Sequence, residues 1–471
     1  MADIAAPSAS PTPQSRRFFA SRGWRFAVMI MLTLLMGLPL LMVLGLIEDR
    51  ARYQRQAVGE VSNRWGGPVR LGGPVLVIPV EREVTRVVTG EDGEKRTERR
   101  RERAEPVILL PDSLDLSGET ASQVRRRGIF EVPVYTTDFQ IEARFDTGRI
   151  EGVTGAGETI LWDRAMLAVV MPGNRSFSGK AVLSVDGKPV DLDPGTPLPG
   201  DRTPERTRSI KKDLSLEPGT PWGVSGIQAR IGDPRGARLY RLEMGLNGAR
   251  EMMFTPVGRQ TEIAMTSDWP HPSFQGAFLP KSREITASGF TARWSVPHLA
   301  RDMPQVSRGR WSPRAEFGVS FYNPVDVYQK ASRAAKYGIL FIALTFLTVF
   351  LIERFAARPV HAAQFVLIGV AQCVFFLLLL SFSEQIGFTA AYAAAGAATI
   401  GLIGLYGWSG LGLGRRAMAL IGALVMLYAT LYLILRSTDY ALLAGSVLAF
   451  VAVALAMMMT RGEDWSGGAV R

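Results

Sequence analysis

Apolar positions along this chain fall into two regimes. Long unbroken apolar blocks stand near the N-terminus and through the last third, whereas the stretch between them mixes short apolar runs with polar positions and frequent turn residues. The first block runs from Phe26 to Ile47. As a helix it would extend roughly 33 Å, enough to cross a hydrocarbon core. Five more blocks follow, approximately Tyr337–Ile352, Phe365–Phe382, Ile386–Trp408, Ala417–Leu435 and Ala441–Met459. The first of these is short, but Ala334 and Ala335 extend it and Lys336 can snorkel. The pattern predicts six transmembrane helices.

The middle stretch predicts a large strand-rich domain. Gly73 to Val80 reads as a short buried strand between prolines, and Val84–Val88 with Val107–Leu110 flank a charged tip, Glu91 to Arg103. Ile129–Val134 with Phe139–Phe145 reads as a second strand pair. Ala181–Val185 and Lys188–Leu192 flank Asp186-Gly187, a hairpin turn signal. Leu239–Met244, Glu262–Thr266, Phe290–Trp294 and Phe317–Tyr322 add further strands, and Thr196 to Pro221 reads as a loop. Many short strands with frequent turns favour a β-sandwich type of domain. Helical character continues beyond the membrane at both ends of it. Ala57, Val61 and Trp65 share one face, Gly66-Gly67-Pro68 stops that helix, and Asn323-Pro324 starts the next. Two antiparallel helical stalks would present the domain. The expected organisation is therefore a disordered cytoplasmic tail (1–22), a first transmembrane helix (23–47), a periplasmic domain with helical stalks (48–336) and a five-helix transmembrane bundle (337–471).

Charge changes this picture by giving it a direction. The net charge is +11, from 54 Lys+Arg against 43 Asp+Glu. Arg16, Arg17, Arg22 and Arg25 precede the first block; Arg354 and Arg358, Arg415 and Arg416, and Arg461 and Arg471 fall in alternate short segments. The intervening short segments hold only Arg436. The positive-inside rule then places both termini in the cytoplasm and the strand-rich domain outside. The first block is long for a signal peptide, and Glu48-Asp49-Arg50 follows it without a small-x-small site, so it reads as an uncleaved signal anchor. The single cysteine, Cys373, lies in an apolar block, so the outer domain has no disulfide. A nucleic-acid partner is excluded because the one sizeable basic cluster lies outside the cytoplasm.

Specific strings then become informative. Gly73-Pro74-Val75-Leu76-Val77-Ile78-Pro79, Leu109-Leu110-Pro111 and Arg127-Gly128-Ile129-Phe130-Glu131-Val132-Pro133-Val134-Tyr135 stand in the middle stretch. Asn323-Pro324-Val325-Asp326-Val327-Tyr328, Leu380-Ser381-Phe382-Ser383-Glu384-Gln385-Ile386-Gly387-Phe388 and Asp439-Tyr440-Ala441-Leu442-Leu443 follow. In this order and spacing the chain resembles the CreD family of bacterial inner-membrane proteins over nearly its whole length. It departs from that pattern at Val69, where such proteins usually carry glutamine. The resemblance implies a role in cell-envelope integrity and stress. It implies no defined reaction, no cofactor and no catalytic residues.

Several residues are candidates for chemistry, each with a plainer reading beside it. Glu384, at the outer end of the third span, would gate an ion or accept a proton, or else cap the next helix. Glu353 and His361 bracket a short cytoplasmic turn, where a carboxylate near an imidazole can move protons and two water-satisfied interfacial groups would look the same. Arg436 and Asp439 lie in a tight outer turn and read as a local ion pair. Gly401, Gly404, Gly407 and Gly410 recur every three residues, with Ala393 and Ala397 eight and four before Gly401. Small residues let helices approach closely, within the bundle or in a homo-oligomer. The triplet Arg125, Arg126, Arg127 and the 91–103 tip would contact anionic lipid or another envelope component, or simply be solvated.

Enzyme signatures are weak. Ser209 and Lys212 fit S-x-x-K with no partner motif, the Gly173 to Lys180 stretch fails the phosphate-loop spacing, and His271 and His298 lack metal-ligand spacing. The expectation is a non-enzymatic membrane protein, binding lipid bilayer and a periplasmic or envelope protein or lipid partner. Its rival is a transporter or channel for an apolar or lipidic substrate.

Overall fold

The computed structural model describes residues 22–461, apart from 90–94, 172, 199–224, 237, 302, 310, 312, 314, 322–326, 354–359 and 437–440. The 1–21 tail, the Asn323-Pro324 helix start, Ser209, Lys212, Asp439 and most of the 196–221 loop lie outside the described residues. Two compact units emerge, one helical (Met1–Gln54 with Val325–Arg471) and one rich in strands (Arg55–Pro324).

In the helical unit the first apolar block forms α1 (Arg22–Leu35) and the start of α2 (Gly37–Arg64). The break at Met36 has a local cause. Pro39 has no N–H to offer the Leu35 carbonyl and its ring crowds that turn, and the next helical bond, from Leu40 N to Met36 O, is stretched to 3.4 Å. The remaining helices are α3 (Val327–Glu353), α4 (Ala362–Ile386), α5 (Phe388–Ser409), α6 (Ala417–Arg436) and α7 (Ala441–Thr460). Among the described residues, five helices are long and apolar enough to cross a membrane: the 24–64 helix, α3, α4, α5 and the 414–436 helix that contains α6. α7 is a further apolar helix of 20 residues. α1 and α3 are antiparallel neighbours, with Phe26 beside Phe350 (ring centroids 5.6 Å apart) at one end. At the other, a Cβ on Gly338 would come within 2.9 Å of Leu40.

One sequence expectation in this unit is corrected. The gap between the apolar blocks Phe365–Phe382 and Ile386–Trp408, expected as a short outer loop, is helical: α4 continues through Ser383-Glu384-Gln385 to Ile386, and the connection to α5 is Gly387 alone, at φ +77°. Glycine reaches that left-handed conformation without a Cβ clash, so a single residue suffices for the reversal.

The strand-rich unit consists of two sheets. Crossing the first, the order is Pro272–Gly276, Phe317–Phe321, Glu251–Thr255, Val69–Thr89, Met166–Met171, Ser225–Arg230 and Asp193–Pro194. Lys95–Leu109 and Glu158–Ile160 also pair with Val69–Thr89. The second runs Ser282–Thr286, Gly289–Pro297, Gln260–Ser267, Ser113–Arg127, Phe130–Phe145, Arg238–Ala249, Phe177–Val185 and Lys188–Val190. Period-two alternation decides which side chains enter the core. Leu114 and Leu116 are buried while Asp115 and Ser117 are exposed, and Phe139, Ile141, Ala143 and Phe145 are all buried. They join Val75, Ile78, Leu167, Phe254 and Phe317 of the first sheet in one apolar cluster. Aromatic pairs bridge the sheets: Trp294 with Phe317 at 5.9 Å, and Phe139 with Phe254 edge-on at 6.1 Å. Val75 to Ile78 is buried throughout because it lies in a central strand with both faces covered. Asp186 and Gly187, both at positive φ, close the expected hairpin.

Three strand expectations change. Ile129–Val134 and Phe139–Phe145 are not a pair but one continuous strand, Phe130–Phe145. Tyr135-Thr136-Thr137 has no turn chemistry, and Pro133 falls one residue beyond the last pair with Arg238–Ala249, where only one neighbour is present. Ser113–Arg127 escapes sequence reading because two of its inward positions are Gly118 and Thr120 rather than large apolar residues. The 91–103 tip is mostly ladder: pairing runs from Glu81 with Arg103 out to Thr89 with Lys95.

Candidate functional site

The arginine triplet lies at the end of the hairpin formed by Ser113–Arg127 and Phe130–Phe145, turned by Gly128 at φ +61°. Past Thr120 the first strand has lost its neighbour Gln260–Ser267, and past Val134 the second has lost Arg238–Ala249. The hairpin therefore projects as a two-stranded ribbon. Alternation divides the triplet between its faces. Arg125 lies opposite Val132 and Arg127 opposite Phe130, on one face; Arg126 lies opposite Glu131, on the other.

The face carrying Arg125 and Arg127 seats the C-terminal turns of α2. Val132, Val134 and Ala249 form a small apolar cluster against Val58, Val61 and Trp65. The guanidinium of Arg125 lies 4.3 Å from the Trp65 ring centroid, a cation–π contact. Arg127 pairs with Glu60, and Trp65 Nε1 donates to the Tyr135 carbonyl at 3.3 Å. Buried Tyr135 donates in turn from its hydroxyl to Glu251 O at 2.6 Å. The sequence therefore builds a clasp: an amphipathic helix end on one side and alternating arginines and valines on the other. Arg126 faces away and pairs with Glu131 at 2.7 Å, with 74% of its side chain exposed, a pair of small energetic value.

The long ribbon at 81–103 is largely self-neutralised. Its register sets Glu81 against Arg103, Arg82 against Glu102, Glu83 against Arg101 and Arg86 against Glu98, each a favourable cross-strand combination. At its base Glu158, its side chain only 2% exposed, accepts from Arg308 at 2.7 Å, Gly155 N at 2.9 Å and Arg82 at 2.6 Å. These donors, Arg308 first, hold its carboxyl down at about 2.

The helical unit separates residues that the sequence set side by side. Glu353 pairs with Arg25 of α1 at 2.7 Å, and Arg25 also donates to Val360 O at 3.3 Å. His361 instead caps α4: its Nδ1 accepts from Ala363 N at 3.2 Å, and its own N–H donates to Gln364 Oε1 at 2.9 Å. Each group thus has its own task, and the geometry gives no carboxylate–imidazole contact for proton exchange. Glu384 lies in the last turn of α4 and accepts from the Tyr328 hydroxyl of α3 at 2.8 Å. It does not cap α5, whose N-cap is Gly387 with no side-chain cap. Arg436 ends α6 and is exposed; its expected partner Asp439 lies outside the described residues.

The four glycines are not one stripe. Steps of three residues turn an α-helix by about 300°, so Gly401 and Gly410 end up on opposite sides. A Cβ on Gly404 would come within 2.7 Å of Ile421, and one on Gly407 within 3.2 Å of Leu420, so these two face α6. Gly401 meets open space, and Gly410 packs on Tyr406 of its own helix. Sequence reading also passed over a buried bond between helices, Gln372 Nε2 to Thr345 Oγ1 at 2.7 Å, where a polar residue amid apolar blocks was the available signal.

These features define a multi-pass membrane protein with a large two-sheet domain inserted between its first helix and the remaining helices. Among the described residues no group of three or more His, Cys, Asp or Glu is placed to hold a metal. The family model described as "Inner membrane protein CreD" matches residues 21–466. The chain is also 31% identical over 456 residues to the inner membrane protein CreD of Escherichia coli (strain K12), covering 94% of this chain and 93% of that one. The chain belongs to the CreD family and is an inner-membrane protein. Among solved structures, a zinc metallopeptidase of the M1 class from Deinococcus radiodurans aligns with 67% of this chain and 87% of its own, at 8% identity and a TM-score of 0.18. That score is too low to support any inference about fold or activity.

Proposed function

We propose that this protein is a non-enzymatic membrane anchor for a periplasmic domain that binds, senses or braces a component of the cell envelope. Both termini lie in the cytoplasm, α1 with the start of α2 is an uncleaved signal anchor, and α7 completes six spans. The alternating arginine placement in the short connecting segments supports this orientation. The observation that carries the bracing part is the clasp: the last turns of a helix that begins in an apolar block are seated by Trp65, Arg125 and Arg127 on the strand-rich domain. The role in envelope integrity and stress is the one that membership of the CreD family suggests. The buried polar pair of the bundle, Gln372 with Thr345, ties helices together, as a packing role requires.

The test is in-cell photocrosslinking from position 126, the triplet member that faces away from the clasp, during envelope stress. Capture of one discrete protein or lipid from position 126, and not from a control position such as Ser282 on the far edge of the second sheet, is the expected result. Identical background from both positions in a stably expressed protein would contradict the binding reading.

A further inference from the structure

The beginning of α3 carries Lys330, Arg333 and Lys336. Lys336 immediately precedes the apolar run that starts at Tyr337, and Lys330 lies about 9 Å further along the helix. That span matches one headgroup layer plus the reach of a long cationic side chain. Positions three apart drift by about 60° around a helix, so the cations form one continuous arc. Tyr328, Ala331, Ala334, Ala335, Gly338 and Phe341 are buried and take the opposite arc. Lys336 is exposed, and Lys330 and Arg333 are half-buried.

Among the described residues none of the three cations is in an ion pair. Lys330 Nζ lies 5.5 Å from the Phe388 ring centroid, and Glu384, the neighbouring carboxylate, is engaged by Tyr328. The other end of α3 differs: its one charge, Glu353, is paired with Arg25. Next to the arc, Gly445 of α7 leaves room beside the Tyr337 ring, which lies 3.7 Å from where a Cβ would stand. Leu340, one turn toward the membrane interior from Lys336, is half-buried.

We infer that the Lys330–Arg333–Lys336 arc binds the headgroup phosphate of an anionic phospholipid, whose acyl chains run past Tyr337 and Leu340 beside α7. Lys336 is exposed, Arg333 half-exposed and Lys330 lies over the Phe388 ring at the bundle's edge; counted from the start of the apolar run, all three would stand at headgroup depth, where each is worth roughly a fivefold gain in affinity for an anionic surface.

The test uses the full-length protein, delipidated in detergent and titrated with phosphatidylglycerol or phosphatidylcholine, with bound lipid counted by native mass spectrometry. Phosphatidylglycerol should be preferred. The preference should collapse more than tenfold in K330Q/R333Q/K336Q and persist in K330R/K336R, which keeps the charge. Each single neutralisation should cost about fivefold, which keeps the inference testable if the triple variant fails to fold. Equal retention of the two lipids by the native protein, or an unchanged preference in the folded neutral variants, would overturn it. So would complete competition by glycerol phosphate without discrimination between the lipids, since that would assign the arc to soluble phosphate.

Discussion

The strand-rich domain and the helical unit solve packing with the same residue types under different rules. In the domain, large aromatics carry the core: Trp294, Tyr135, Phe139, Phe254 and Phe317 are all nearly fully buried. Removing them from water is the main stabilising term. Charges there find partners, as Arg70 does in Glu251 and Glu316, Arg126 in Glu131 across the ladder, and Glu158 in several donors. In the bundle, apolar lipid surrounds the helices, so burial of Leu or Phe against Leu yields little net hydrophobic gain and close contact matters more. Small residues stand where neighbours must enter: Gly338 against Leu40 and Phe376, Gly369 against Met36 and Phe346, Gly404 against Ile421. The difference teaches that the same substitution has different consequences in the two units.

The largest effect is expected for Trp294→Ala. It removes a side chain 1% exposed at the contact between the sheets and should cost about 3–5 kcal/mol, read by thermal or chemical denaturation of the domain's near-ultraviolet signal. Phe346→Ala, equally buried in α3, should cost distinctly less in a bilayer or bicelle, because only packing is lost. Similar costs for the two would erase the comparison. Next comes Gly404→Val, which should destabilise the bundle by about 1–3 kcal/mol through overpacking against Ile421. Gly401→Val, facing open space, should leave the thermal midpoint unchanged.

The clasp should respond more weakly. A double-mutant cycle on Trp65→Ala and Arg125→Ala is expected to give about 0.5–1 kcal/mol of coupling, with the Arg127–Glu60 pair adding less and fading at high salt. No coupling in the cycle would mean that the contact does not hold the helix end. A pH-dependent contribution belongs to Glu158. Its folded carboxyl titrates near 2, below the ordinary glutamate value, so its contribution is complete above about 4.3 and is lost as pH falls toward 2. Glu158→Gln should flatten the acid limb of the domain's stability between those values. Asp115 has the opposite sign. Partial desolvation on the sheet face, with Glu262 and Glu142 alongside, raises its pKa, so Asp115→Asn should relieve repulsion at neutral pH.

Much of this was legible from hydrophobic spacing. Apolar blocks locate α1 with the start of α2 and then α3 to α6, because a membrane demands continuous apolar length; Asp186-Gly187 locates a hairpin because that turn needs two residues at positive φ. The amphipathic end of α2 was visible in Ala57, Val61 and Trp65. What it docks against was not, since Ser113–Arg127 carries its inward face on Gly118 and Thr120 and does not look like a strand. The arginine triplet therefore read as one basic patch, whereas pleating sends Arg125 and Arg127 to the helix and Arg126 away. Glu353 and His361, close in sequence, are separated by partners that periodicity does not reveal, Arg25 and the α4 N-terminus.

The proposal that the strand-rich domain faces the periplasm is tested most directly by accessibility. A single cysteine at position 126, in a background carrying Cys373→Ser, is treated with a membrane-impermeant maleimide in intact spheroplasts and in inverted inner-membrane vesicles. Labelling in spheroplasts and protection in inverted vesicles is the predicted result. Labelling confined to inverted vesicles would place the domain in the cytoplasm and contradict the proposed function.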